Sequence, residues 1–151
     1  MIQALKSLFV QPAKESPEAL QQRLNLATAA ILVETAQADF EQDSREQQLM
    51  QELLCDSLAL PREEVQALVQ QAQARVEQAT SLYEFTRLIN DNFDAEAKSS
   101  LILAMWRVAY ADGNLDKYEE ALIRQVADLT YVPHSEYIRC KLLAKSAQKQ
   151  R

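Results

Sequence analysis

The chain has 151 residues, 48% of them hydrophobic, which is enough for one ordinary domain with its own core. Only one glycine and four prolines occur, far below the roughly 12% of average usage, so hairpin-rich β architecture is disfavoured; with Gly113 as the lone glycine, P-loop and dinucleotide fingerprints are excluded. A formal charge of −6 argues against general nucleic-acid binding, and the longest early uncharged run, between Arg23 and Glu34, falls short of the about 18 residues needed to span a bilayer.

In chain order, Ile2, Leu5, Leu8 and Phe9 fall at helical spacing and predict a short amphipathic helix. With only Lys6 on its polar side, docking on the domain is favoured over contact with a membrane surface. Lys6 also interrupts what would be the apolar region of a signal peptide, so a cytoplasmic location is expected. Residues 1–16 are therefore read as this helix and a linker carrying Pro12, and residues 17–151 as a single domain. Ser16 followed by Pro17 predicts an N-cap and a helix to about Asp39. Further helices are expected over about Ser44–Leu58, from Pro61 to about Ala79, from a capping box of Ser81 and Glu84, from Asp94, from Asp116 with Glu119 to about Thr130, and from Pro133 onward. The expectation is an all-α bundle of about seven helices plus the short N-terminal one, with no strand.

An internal repeat is the most informative feature. Ala36, Ala38, Asp39, Asp43, Glu46 and Leu49 recur 73 positions later as Ala109, Ala111, Asp112, Asp116, Glu119 and Leu122. After a one-residue shift, Leu60 and Pro61 correspond to Val132 and Pro133. Two three-helix units are expected, over about 26–79 and 94–147, packed about a pseudo-twofold axis. At these residues the sequence resembles the TerB-like family, which includes the tellurite-resistance TerB proteins and the related domain of membrane-anchored DnaJ-type co-chaperones. The second repeat, with Ala111, Asp112 and Gly113, then Leu115, Asp116 and Glu119, matches the family motif, whereas the first carries Phe40 where glycine is expected. The resemblance covers about residues 26–147. It implies an all-helical, internally duplicated stress-response domain with no established enzymatic activity and an affinity for metal ions, and the chain looks like a stand-alone member.

The acidic motif reads first as a helix junction: one helix ends at Asp112, Gly113 takes the left-handed position, Asp116 caps the next helix and Glu119 completes the box. Asp112 resists that account, because it lies on the stripe of Leu101, Met105 and Val108 at the negative end of a helix dipole. Its compensation is expected from backbone amides of the next helix, from Arg107 or Arg124, or from a hard cation held with Asp116, Glu119 and Glu120. Oxygen-only ligands would select Ca²⁺, Mg²⁺ or Mn²⁺. Asp39, Asp43 and Glu46 form the corresponding set in the first repeat, with Phe40 in place of the glycine.

Other chemistry is scarce. His134 is the sole histidine, which excludes two-histidine metal sites within one chain, and beside Pro133 it is expected as a surface residue of a first helical turn. Cys55 and Cys140 are expected as reduced core residues. Trp106, Tyr110, Tyr118, Tyr131 and Tyr137 are expected in helix contacts, any left exposed marking a partner surface. Eight acids between Asp39 and Glu64 predict an acidic face, while Arg139, Lys141, Lys145, Lys149 and Arg151 are read as cations complementing the carbonyl end of the last helix. The expectation is a non-enzymatic interaction module that presents an acidic surface to a protein partner. The rivals are a metal-ion buffer or sensor and a membrane-peripheral adaptor acting through residues 1–10.

Overall fold

Helix α1 (Pro17–Gln37) begins where Ser16 turns back on the chain: its Oγ accepts the Ala19 amide at 3.1 Å and its carbonyl the Leu20 amide at 3.0 Å. The computed structural model describes residues 15–37, 44–77, 82–111 and 115–149. Within them follow α2 (Ser44–Leu58), α3 (Arg62–Glu77), α4 (Leu82–Asn92), α5 (Ala95–Ala109), α6 (Lys117–Leu129) and α7 (His134–Lys149). No strand occurs among the described residues, so the fold is the all-α bundle expected. The N-terminal helix and the Ser81 cap lie outside the described residues. Pro61 and Pro133 sit one place earlier than a first helical residue: their carbonyls accept the Val65 and Tyr137 amides at 3.1 and 3.0 Å, which is the N-cap bond.

Each half repeats one packing plan. Helix α1 packs chiefly against α3 and α5 chiefly against α7, while α2 reaches α5 as α6 reaches α1. The two leading helices also pack on each other, with α4 laid against α1 and α6. Helix α1 is buried on more than one face, since Ala29, Ala30, Ile31, Leu32 and Val33 are consecutive and all buried. A helix apolar all round belongs inside, and α1 is enclosed by α2, α3, α4, α5 and α6. Helix α5 contributes Ile102, Met105, Trp106, Val108 and Ala109 to the same core.

The duplication extends to backbone detail. Ala59 and Tyr131, 72 residues apart, have φ of 54° and 61° and are the non-glycine residues with positive φ among those described. Each follows the end of its helix. The Leu60 amide bonds the Cys55 carbonyl at 3.3 Å and the Val132 amide the Ala127 carbonyl at 2.9 Å, the six-to-one bond of a Schellman ending, and the Tyr131 amide adds the inner bond to Asp128 at 3.2 Å. Glycine is the residue this left-handed position favours. Ala59→Gly should therefore raise stability by about 0.5–1 kcal/mol, read as a higher urea midpoint with an unchanged slope.

Two expectations are corrected here. Cys140 is buried, but Cys55 is only half-buried, because it lies in the last turn of α2 at the edge of the core; both are free thiols. Trp106, Tyr110 and Tyr137 are buried as expected, but Tyr118 and Tyr131 are exposed, because each sits at a helix junction rather than on an inward stripe.

Candidate functional site

The acidic junction is built by the start of α6. Asp116 has extended backbone and is the N-cap: its Oδ1 accepts the Tyr118 amide at 2.7 Å, and its own amide donates to Glu119 Oε1 at 3.3 Å, which completes a reciprocal capping box. Glu119 is fully buried, one turn before Ile123 and two before Val126 on the inward face of α6. Glu120 points elsewhere. Its Oε1 pairs with Lys141 Nζ on α7 at 3.2 Å, and that ammonium lies 5.3 Å from the centroid of the Trp106 ring. One cation thus ties α6 to α7 across the face of a core tryptophan.

Asp116, Glu119 and Glu120 are therefore neighbours with separate engagements. Among the described residues no group of three His, Cys, Asp or Glu side chains is placed to hold a metal ion. Asp112, Asp39 and Asp43 lie outside the described residues, as does the side chain of Glu46, although Glu46 belongs to α2. Of the cations considered for Asp112, Arg107 is half-buried and Arg124 exposed. Asp116→Ala should cost about 0.5–2 kcal/mol through loss of the cap. Thermal melts in EDTA and in Mg²⁺ or Ca²⁺ should show the same loss; a wild-type melting temperature that EDTA lowers, with the mutant indifferent to it, would instead assign this junction a cation.

The basic residues of the last helix do other work than expected. Arg139 and Lys141 pair with carboxylates rather than with terminal carbonyls, because they stand in the middle of α7, well before its end at Lys149. Arg139 Nε and Nη2 donate to the two oxygens of Glu136 at 2.9 and 2.8 Å, and Ser99 Oγ of α5 donates to Glu136 Oε2 at 3.1 Å. The Arg139 and Ser99 hydrogen bonds hold the Glu136 carboxyl below the usual carboxylate range. The contribution of this pair is present above that range and is lost as pH falls through the lowered value. Cys140 donates its thiol to the Ser99 carbonyl at 3.4 Å, and burial pushes that thiol up, leaving it protonated and unreactive near neutrality.

These groups line a cleft of about 530 Å³ between the first half of α5 and the turn into α7. Tyr131 and Pro133 form one side of it, Glu96 and Leu103 the other, and Arg139 and Glu136 part of its polar lining. Tyr131 is 80% exposed despite its left-handed backbone. His134 opens α7 as the exposed first-turn residue expected, its ring stacked 5.6 Å from Tyr137. Sequence reasoning missed the cleft, the full burial of Glu119 and the Lys141 bridge. A signal existed for Glu119, whose spacing to Ile123 and Val126 puts it on the apolar stripe. For Tyr131 the signal was its alignment with Ala59 before an apolar residue and proline.

A duplicated all-helical domain with paired helix junctions is the class this fold defines. Residues 25–142 match the family model described as tellurite resistance protein TerB, and the chain belongs to that family. No curated protein and no solved structure matches it. No helix among the described residues is long and apolar enough to cross a membrane.

Proposed function

We propose that this TerB-family domain acts in the cytoplasm as a non-enzymatic interaction module of the tellurite-resistance response, with a protein partner docking at the cleft beside Tyr131. The observation that carries this reading is the conformation of Tyr131. A bulky side chain at positive φ costs about 1–2 kcal/mol over glycine, and Ala59 makes the same turn in the other half without a ring. The aromatic group is thus kept exposed at the edge of a cleft at the expense of stability, a combination that fits recognition better than packing. In this reading Asp116 and Glu119 serve as the cap of α6, and the acidic surface is carried by exposed acids of α2 and α3 such as Glu52, Asp56, Glu63 and Glu64. Titration calorimetry of metal-stripped protein with Ca²⁺, Mg²⁺ and Mn²⁺ should then give no saturable heat; a saturable one favours the ion buffer.

The deciding experiment compares two glycine substitutions in a host whose own copy of the gene is deleted. Ala59→Gly and Tyr131→Gly should both give a domain at least as stable as wild type. Survival on tellurite should be restored by Ala59→Gly and not by Tyr131→Gly. Full restoration by Tyr131→Gly would remove the ring from any function, and undiminished survival of the deletion strain would separate the chain from tellurite resistance altogether.

A further inference from the structure

The buried threonines among the described residues are Thr28, Thr35, Thr86 and Thr130. Three of them return their hydroxyls to a carbonyl about one turn back: Thr35 to Ile31 at 2.8 Å, Thr86 to Tyr83 at 3.1 Å and Thr130 to Val126 at 2.7 Å. Thr28 does not. It is 6% exposed, and its Oγ1 has no hydrogen-bond partner among the described residues. A buried hydroxyl left in that condition is costly, and the bond that its three counterparts make shows how readily the cost is avoided.

Thr28 lines a second cavity, of about 400 Å³ and open to solvent, bordered by α1, the end of α2, the turn from α4 to α5, and α5. Leu32, Leu58, Phe93, Leu101 and Ala104 make its walls apolar. Leu101 follows Thr28 by 73 residues, the repeat spacing, so a hydroxyl stands in one half where the other half places a leucine. The charged residues of the lining are Asp94 and Glu96, and no basic side chain is among them. A volume in the range of small-molecule pockets, an apolar wall, a buried hydroxyl left unpartnered at Thr28 beside those of Ser57 and Ser100, and a rim that carries Glu96 and the α5 cap Asp94 with no basic side chain are complementary to one kind of ligand.

The geometry points to a binding site for a small organic cation, with an apolar body against Leu32 and Leu101, a hydrogen-bonding group at Thr28 Oγ1 and an ammonium group facing Asp94 and Glu96. The site is separate from the Tyr131 cleft in its walls, although the two share Glu96 and Ser100 on the first turns of α5.

Tryptamine is a suitable probe, since its indole N–H can donate to Thr28 while its ammonium approaches the carboxylates. Titrated into the full chain and followed by methyl NMR, it should shift the Leu32, Leu58, Leu101 and Ala104 methyl resonances saturably. Indole-3-propionate, the same ring with the opposite charge, should bind about tenfold more weakly or not at all. Thr28→Val, which keeps the shape, should weaken tryptamine about 3–10-fold without lowering the melting temperature, with Thr28→Ser restoring it. Glu96→Gln should weaken it about 2–5-fold, and Ala104→Met, which fills the cavity, should abolish binding. The assignment is overturned if millimolar tryptamine leaves these methyls unmoved, if the shifts gather around Tyr131 instead, or if a folded Thr28→Val protein binds as tightly as wild type.

Discussion

Replacing Trp106 with alanine should cost about 3–5 kcal/mol, a large share of the about 5–15 kcal/mol by which a domain is ordinarily stable. The side chain is fully buried on α5, its ring lies 6.0 Å from Tyr110 and 5.1 Å from Tyr137 on α7, and Lys141 sits over its face while paired with Glu120 on α6. Truncation empties the centre of the second half and also removes the apolar surface on which the Lys141 ammonium rests. Trp106→Phe should cost much less. The indole Nε1 has no hydrogen-bond partner among the described residues, so phenylalanine forfeits volume but no polar contact. Urea unfolding of the two variants, followed by helical circular dichroism, checks the ordering; equal losses would mean that the ring edge carries a bond rather than only packing.

The second large effect is expected from adding atoms. Ala30 is fully buried on α1 between Ala29 and Ile31, in the helix against which α2, α3, α4, α5 and α6 all pack. Ala30→Leu should destabilise by roughly 1–3 kcal/mol, even though leucine is almost as good a helix former as alanine. The penalty arises because interiors are packed to the density of organic crystals and have no room for three further carbons. A lowered unfolding midpoint with unchanged helix content at low temperature is the expected signature. A neutral result would show that α1 is looser than its burial implies.

Much of the architecture was legible in the order of residues because capping and periodicity are local. Asp94 and Asp116 announce helix starts through chemistry confined to three or four residues, and both cap as expected, with the Ala97 amide 2.8 Å from Asp94 Oδ1 and the Tyr118 amide 2.7 Å from Asp116 Oδ1. The repeat was legible for the same reason, since it preserves those local signals at a fixed spacing. Contacts between distant elements were not. Nothing near Lys141 indicates that its partners are Glu120 and Trp106, 21 and 35 residues earlier. Nothing near Asn90 indicates that its Nδ2 will satisfy the Leu129 carbonyl at the end of α6, at 2.6 Å. The candidate site suffered most. Sequence drew attention to Asp112 as the acid in need of a partner, whereas the acid that the described residues show withdrawn from water is Glu119. Tyr131 was expected in a helix contact, and only backbone geometry shows it at an exposed helix ending.

The central place of α1 has a consequence for how the chain is made. Its apolar surface is complete once residue 37 is synthesised, α3 covers part of it by residue 77, and α5, the helix that joins the two halves, ends only at residue 109. At ribosomal speeds of about 5–20 residues per second, the interval between the ends of α1 and α5 lasts roughly 4–14 s. During that time the nascent first half carries an uncovered face that α5 will later occupy. Translation arrested within this interval should leave chains that associate with chaperones or with each other, whereas chains arrested past α6 should be protected from protease throughout α1.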